Sequence, residues 1–515
     1  MKHNKGVLLL IFLLVGLILR LHNLSQRSLW TDEFFTFFQS SGHGVELVNF
    51  LDSLSRRQEP QLYKAKEFKV FLKFDAAKNL QQVSEGLLRT DTHPPLYFWL
   101  MHYWMRVWGD SIFAVRLFSV LLGLFSVFLA YRLTLRLFHQ QAANFAALLV
   151  SVSAFSVRYS QEARAYSLVM ALGLLSCLFI LSLEKEGKNS DALGLAVSNA
   201  LGIYTHYFYT LLCAAQLLYF SLTQRKNPAV LNKFYLAFLC SWLSFAFWFV
   251  PVLLRGYNFY LVEWIFGYPG LGSKLSYLLI GLGRYLFIWD GLGPFWRLLL
   301  FLGLCIFVYL VKGATRSMFR QYPKSFWFSL TFFLVPLGIM FCIDLLQRGA
   351  LLKQERFWVF PFLGFIPLGA YILAEGFAKN KFTYLLVFLM PCSSFLVAQT
   401  QFGPAPQSAS AWINRETGGR PATVLAYNIR SVIPAQSYYL NDDIYLVPVS
   451  DERQLSGAVL AASGYAEKIF LVRHFHRSDA SLMDAGFMGG SRINAGFKFK
   501  AVFAKDDISV SEYIR

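Results

Sequence analysis

Charge is scarce in this chain: Asp, Glu, Lys and Arg together make up 15% of 515 residues, against 56% hydrophobic types. So little charge over such a length excludes an ordinary soluble protein. Cysteine is scarce too, and each of the six (Cys177, Cys213, Cys240, Cys305, Cys342, Cys392) lies inside an apolar run, with no CxxC and no His at ligand spacing. That pattern excludes a disulfide framework and a cysteine metal site, and makes them small buried hydrophobes. There is no Gly-rich strand–helix fingerprint, which argues against a sugar-nucleotide-binding domain. No internal repeat or low-complexity tract is present. Acids number 30 against 48 bases, a net charge of +18. The bases fall in short clusters between apolar runs and are not interleaved with aromatics on one polar face, so nucleic acid is not the partner they indicate.

What is present is a long series of apolar runs, recurring to about residue 399, each able to cross a hydrocarbon core roughly 30 Å thick. A cleaved signal peptide would leave a soluble remainder, so Val7–Leu21 is read as a retained first span. Lys2, His3 and Lys5 ahead of it put the N-terminus in the cytoplasm. Leu96–Trp108 is short and carries His102 and Arg106, which suits a helix lying in the interface. Lys274–Trp289 is broken by glycines and carries Arg284, which suits a second interfacial or re-entrant piece. The other spans then fall near 112–131, 142–158, 166–183, 191–205, 207–223, 233–254, 295–311, 326–346, 357–375 and 381–399. With about eleven spans, each connection assigned inside is basic, as the positive-inside rule requires. The expected fold is therefore a polytopic α-helical membrane protein with about eleven transmembrane helices plus interfacial helices. It divides into a transmembrane domain, 1–399, whose first external loop is 23–95, and a small extracytoplasmic α/β domain, 400–515. In the latter, GPAPQSASAW reads as a linker. ATVLAY, DIYLVPV, KIFLVRHF, FKFKAVF and ISVSEYI read as strands.

Asp32 and Glu33, in SLWTDEFFTF, follow the first span directly among the rings Trp30, Phe34, Phe35, Phe37 and Phe38. A carboxylate pair at a bilayer edge costs free energy unless a polar cavity uses it. A solvated loop pair is the alternative. RYSQEARAY, at the external end of the third span, brings Arg158, Glu162 and Arg164 to the same side. Two acidic loops there can supply a general base, orient a hydroxyl or share a divalent cation, with Asp32, Glu162 and His206 as the candidate metal ligands. A Glu–Arg pair closing the hairpin is the structural alternative for Glu162. His206 in IYTHYFY is a ligand or an interfacial hydrogen-bonding residue. His93, before the Pro-Pro of DTHPPLYF, donates to an anion or caps the following helix. Lys353 and Arg356 in LLKQERFWVFP stand at an external edge against the topology bias, either to meet phosphate oxygens or to snorkel to headgroups. A transporter or lipid flippase is the competing class, though such proteins place polar groups at mid-membrane, often in repeated halves.

The ordered landmarks SLWTDEFFTF, THPPLYFWLMHYWMRVWGD, YSQEARAYSLVMAL, YTHYFYTLL and ERFWVFP resemble the bacterial polyprenyl-phosphate-sugar-dependent glycosyltransferases of the C-type fold. These are similar to protein O-mannosyltransferases and the lipid A aminoarabinose transferase. The resemblance covers residues 1 to 375. It implies an inverting transfer at the external face of the plasma (bacterial inner) membrane, from a polyprenyl-phosphate-linked sugar to a hydroxyl of a lipid, glycan or protein. It implies Asp32 as base, Glu33 as its support, and Glu162 as the acid that orients a hydroxyl or helps hold a metal. Arg356, Lys353 and His93 would bind the donor phosphate, and Arg164, His206 and Tyr166 the substrate. The aminoarabinose branch carries a lysine where this chain has His93, a departure from that pattern.

Overall fold

The structure is a computed structural model that describes residues 4–55, 61–91, 93–255, 270–288, 293–346, 349–399, 406–418, 420–427, 437–449, 458, 461–462, 465–474, 498–505 and 508–514. In chain order its helices are α1 (Asn4–Leu21), α2 (Thr31–Ser40), α3 (Gly44–Ser55), α4 (Ala65–Lys69), α5 (Leu80–Thr90), α6 (Leu96–Trp108), α7 (Ile112–Leu137), α8 (Gln140–Val152), α9 (Ala154–Ser160) and α10 (Tyr166–Glu186). They continue with α11 (Asn189–Thr205), α12 (Tyr209–Thr223), α13 (Pro228–Leu254), α14 (Leu271–Arg284), α15 (Pro294–Gln321), α16 (Pro323–Leu346), α17 (Val359–Lys379), α18 (Phe382–Gln399) and α19 (Pro406–Thr417). The chain divides into two units, one of Met1–Leu24, Asp91–Tyr97 and Val115–Thr400, the other of Ser25–Thr90, Phe98–Ala114 and Gln401–Arg515.

Helices occupy every range expected to span. Among the described residues six are long and apolar enough to cross a membrane: α7, α10, α13, α15, α16 and the segment Glu355–Lys379 that contains α17. A seventh arises if α8 and α9 count as one broken span, and Gly6–Leu21, Tyr209–Thr223 and Phe382–Leu396 are shorter apolar helices. The chain is thus a polytopic α-helical membrane protein. In the first unit α17 is the core, packed by α8, α10, α15 and α16. Its apolar window is 94% buried, against 22% for α13 and 28% for α15, which turn most of their apolar surface outward, as helices facing lipid do. Gly364 explains how α16 approaches so closely, since a Cβ there would lie 2.2 Å from the backbone nitrogen of Phe333.

The segment 142–158, expected as one span, is broken at Ser153, where the backbone turns extended and the axis bends by 54°. Breaking a helix inside an apolar bundle strands carbonyls that water cannot reach. Each finds a side chain. Arg20, fully buried on α1, donates to Val150 O and Ser151 O, both at 2.9 Å, and to Ser156 Oγ at 2.9 Å. Ser394 donates to Val152 O. Nothing in VSVSAFSV marks this break, because neither Gly nor Pro is present and the partners lie far away in sequence.

The second unit holds a sheet of β1 (Tyr63–Lys64), β2 (Ala422–Tyr427), β3 (Tyr445–Val449), β4 (Lys468–His474), β5 (Lys498–Lys505) and β6 (Ile508–Ile514), in the order β1-β3-β2-β4-β6-β5. β2 runs parallel to β3 and β4, and β6 pairs antiparallel with β4 and β5. Ala422–Ala426 and Leu446–Val449 are buried at every position, the signature of parallel strands covered on both faces. The first loop contributes β1, with Tyr63 opposite Leu446. Lys69 Nζ adds bonds to Leu440 O and Asp442 Oδ1, each 2.7 Å, and Leu29 N–H donates to Tyr439 Oη at 2.7 Å. The expected linker is corrected in part: from Pro406 onward it is α19, which packs on β5 and β6 and buries Ala409 and Ile413 one turn apart. Between the strands the sequence also reads as helical around 432–440 and 453–462, and both stretches lie mostly outside the described residues.

Candidate active site

The break at Ser153 delivers α9, a turn at 161–165 and then α10, so RYSQEARAY is folded tightly back on itself. Its polar members are buried: Gln161 is 1% exposed, Glu162 5% and Arg164 2%. Gln161 anchors the turn to the end of α1, its Nε2 donating to Leu19 O at 3.2 Å, Arg20 O at 3.0 Å and His22 O at 2.9 Å. One amide thereby satisfies carbonyls that the end of a helix leaves over.

Two linked ionic groups grow from this turn. Arg158 faces Glu162 at 3.4 Å and forms an ion pair with Glu355, and Arg284, the last residue of α14, meets Glu355 at 2.8 Å. Glu355 therefore joins α9, α14 and the 3-10 turn Glu355–Trp358 that opens α17. Pairs largely withdrawn from water persist where several charges satisfy one another, as these four do. The loop before that turn is held as firmly. Asp344, fully buried on α16, accepts from Leu351 N–H at 2.7 Å and Leu352 N–H at 2.9 Å, and the Trp358 indole donates to Leu352 O at 3.0 Å.

The second group surrounds His206, between α11 and α12. Asp91 Oδ1 lies 2.5 Å from His93 Nδ1, and Arg164 Nη2 lies 2.9 Å from His93 Nε2. A guanidinium can only donate, so His93 Nε2 accepts and its Nδ1–H donates to Asp91. The rings of His93 and His206 are 6.4 Å apart. Tyr166, Phe208, Phe357 and Phe360 pack around His206 with centroids at 6.1, 5.9, 6.0 and 5.8 Å. Burial first, then repulsion from His93 when that ring is protonated and from the Arg164 and Arg356 guanidiniums, holds the His206 imidazole well below the ordinary histidine range.

Glu162, Arg164, Tyr166, His93, His206 and Arg356 thus all belong to the first unit and to its two linked groups. Lys353 is exposed in the adjoining loop. Asp32 and Glu33 belong to the second unit, in the first turn of α2, a position that suits acids. Asp32 is half-buried, whereas Glu33 is fully buried and accepts from Trp30 N–H at 3.4 Å, the reciprocal half of a capping arrangement. Among the described residues no three His, Cys, Asp or Glu side chains are grouped to hold a metal ion. Asp91 and Glu355 escaped the sequence reading, and Arg284 entered it only as a charge against a full span, not as a site residue. The signals for them were slight: an acid two residues before His93, a lone arginine in a glycine-broken helix, and a glutamate in a stretch read for its bases.

Residues 92–254 match the sequence profile of the family described as dolichyl-phosphate-mannose-protein mannosyltransferase. No curated protein matches the chain significantly in sequence. Among solved structures it is similar to ArnT from Cupriavidus metallidurans bound to undecaprenyl phosphate, with 13% identity, TM-score 0.54, and coverage of 98% of this chain and 97% of that one. It is also similar to the oligosaccharyltransferase of Archaeoglobus fulgidus in its apo form, at 12% identity, TM-score 0.50, and 92% and 70% coverage. The archaeal oligosaccharyltransferase AglB from Archaeoglobus fulgidus, with an inhibitory peptide and a dolichol-phosphate, matches at 11% identity, TM-score 0.50, and 91% and 69% coverage. Fold, extent of match and the profile hit over 92–254 agree: this chain carries the C-type glycosyltransferase fold, related to that of the mannosyltransferases and ArnT.

Proposed function

We propose that this protein is an integral-membrane, inverting glycosyltransferase that moves a sugar from a polyprenyl phosphate to an acceptor hydroxyl at the external face of the membrane. The carrying observation is the group formed by the buried Arg164 and His206 with the half-buried His93 and Arg356, cations and imidazoles gathered where a lipid-borne anion can be received. The likeness to an ArnT bound to undecaprenyl phosphate and to an AglB bound to a dolichol-phosphate supports a lipid phosphate as that anion. On this reading the N-terminus is cytoplasmic, the chain crosses about eleven times, and the sheet-bearing unit lies outside.

In the reaction the acceptor oxygen bonds to the anomeric carbon from the side opposite the phosphate. The bond from that carbon to the phosphate oxygen breaks, and its electron pair stays on the phosphate. Asp32 takes the acceptor proton, with Glu33 holding the helix start that carries it. Arg164 and Arg356, supported by Lys353, offset the charge that develops on the departing lipid phosphate, which is where fixed positive charge lowers the barrier most. Glu162, held by Arg158, orients a hydroxyl of the substrate.

Mass spectrometry of envelope glycolipids and glycoproteins, from cells with the gene, without it, and with Asp32→Asn, tests this. One glycan should disappear on deletion and stay absent or fall by roughly 10²–10⁴-fold with Asp32→Asn. The purified variant should still bind undecaprenyl phosphate. An unchanged glycan inventory in cells that make the protein overturns the proposal.

A further inference from the structure

The two histidines of the cationic group are not equivalent, and their hydrogen bonds say which can serve an anion. Both ring nitrogens of His93 are engaged, Nδ1 with Asp91 at 2.5 Å and Nε2 with Arg164 at 2.9 Å. Its proton is committed to Asp91, so the face it turns to Arg164 is an acceptor, and an acceptor repels phosphate oxygen. His206 has the opposite tautomer. Its Nδ1 accepts from the Phe208 N–H at 3.1 Å, and a backbone N–H can only donate, so the ring hydrogen sits on Nε2. Packing by Tyr166, Phe208, Phe357 and Phe360 keeps that ring in place.

We infer that His206 is the imidazole that contacts the lipid phosphate, donating from Nε2–H as a neutral ring, while His93 is a positioning residue that orients Arg164 and does not itself touch the anion. This deepens the proposed function and rests on its reading of the cationic group as the lipid-phosphate site. The groups facing His206 are Tyr166 of α10, Arg164 in the turn before it, His93 ahead of α6, and Arg356 of the 3-10 turn. Burial and the two guanidiniums keep the ring neutral, so its contribution needs no proton from solution. The arginines supply the charge, and the imidazole supplies direction.

The test is binding of undecaprenyl phosphate to the purified full-length protein in nanodiscs, with His206→Gln, His206→Asn, Arg164→Gln and Arg356→Gln compared. A glutamine amide nitrogen reaches the place of Nε2, and an asparagine amide reaches only that of Nδ1. His206→Gln should stay within about threefold of the parent, while His206→Asn should lose roughly ten- to a hundredfold, the loss expected for a hydrogen bond to a charged group. The affinity ratio of parent to His206→Gln should stay constant between about pH 6 and 8, the window in which an ordinary histidine changes charge. Equal binding by the Gln and Asn variants, or a ratio that drifts across that window, overturns the inference. If Arg164→Gln and Arg356→Gln also bind like the parent, the cationic group is not the phosphate site, and the underlying reading fails with it. Thermal unfolding of each variant identifies any loss that is merely misfolding.

Discussion

At the scale of single residues, the first unit uses its buried and half-buried charges in two ways. Arg158, Glu162, Arg284 and Glu355 satisfy one another and so tie three segments together. Arg164 and Arg356 instead act on an imidazole that burial keeps neutral. That has a consequence for stability. An unfolded chain protonates His206 below about pH 6.5, whereas the folded protein does not until a much lower pH. Above that value the ring is neutral in both states and contributes nothing to the difference. As pH falls below it, the unfolded state gains a proton the folded state lacks, and stability is lost. The melting temperature of the purified protein should therefore fall more between about pH 7.5 and 5.5 than that of His206→Gln. Equal falls would mean that His206 titrates normally. Much of this was legible: Glu162, Arg164, His206 and Arg356 each stood out as charges or imidazoles at the ends of apolar runs. Glu355 did not, because an acid beside two bases looks balanced locally, and its actual partner Arg158 is 197 residues away.

At the scale of elements, the break between α8 and α9 shows how an apolar bundle tolerates an interrupted helix. Arg20 supplies the donors that the interrupted helix lost, and in doing so allows the turn at 161–165 to form where it does. Replacing it by methionine keeps the volume and removes every donor. Arg20→Met should cost roughly 2–6 kcal/mol, about 1–3 for each of the two abandoned carbonyls, and Arg20→Lys clearly less. Thermal unfolding in a fixed detergent measures both, and indistinguishable variants would show that other groups satisfy Val150 and Ser151. Hydropathy drew the range 142–158 correctly and missed the bend, since it counts apolar residues and carries no information on carbonyl partners. The same limit applies to α19, where Ser and Gln made a helix look like a linker.

At the scale of the whole molecule, the second unit is assembled from three separate stretches of chain. β1 completes a sheet otherwise built after residue 420, and Leu29 and Lys69 bond to the 437–443 region. Removing residues 401–515 should therefore leave 25–74 without its sheet and its anchors. Limited proteolysis should then cut within that stretch while the apolar helices of the first unit stay protected. An equally resistant first loop would mean that it folds by itself.

The amino-acid sequence alone determined that the chain crosses a membrane many times, where most of its helices and strands lie, and which few charged residues stand at the ends of spans. These follow from sums over neighbouring residues: apolar length against bilayer thickness, base excess on one side, alternation along a strand. Tertiary structure decided which acid meets which arginine, which tautomer each histidine holds, where a span breaks, and that a two-residue strand of the first loop joins a distant sheet. Each of those depends on a partner brought near only by folding, such as Arg164 reaching His93 across 71 residues. Hydrogen bonds act over about 3 Å, and no local average along the chain contains that distance.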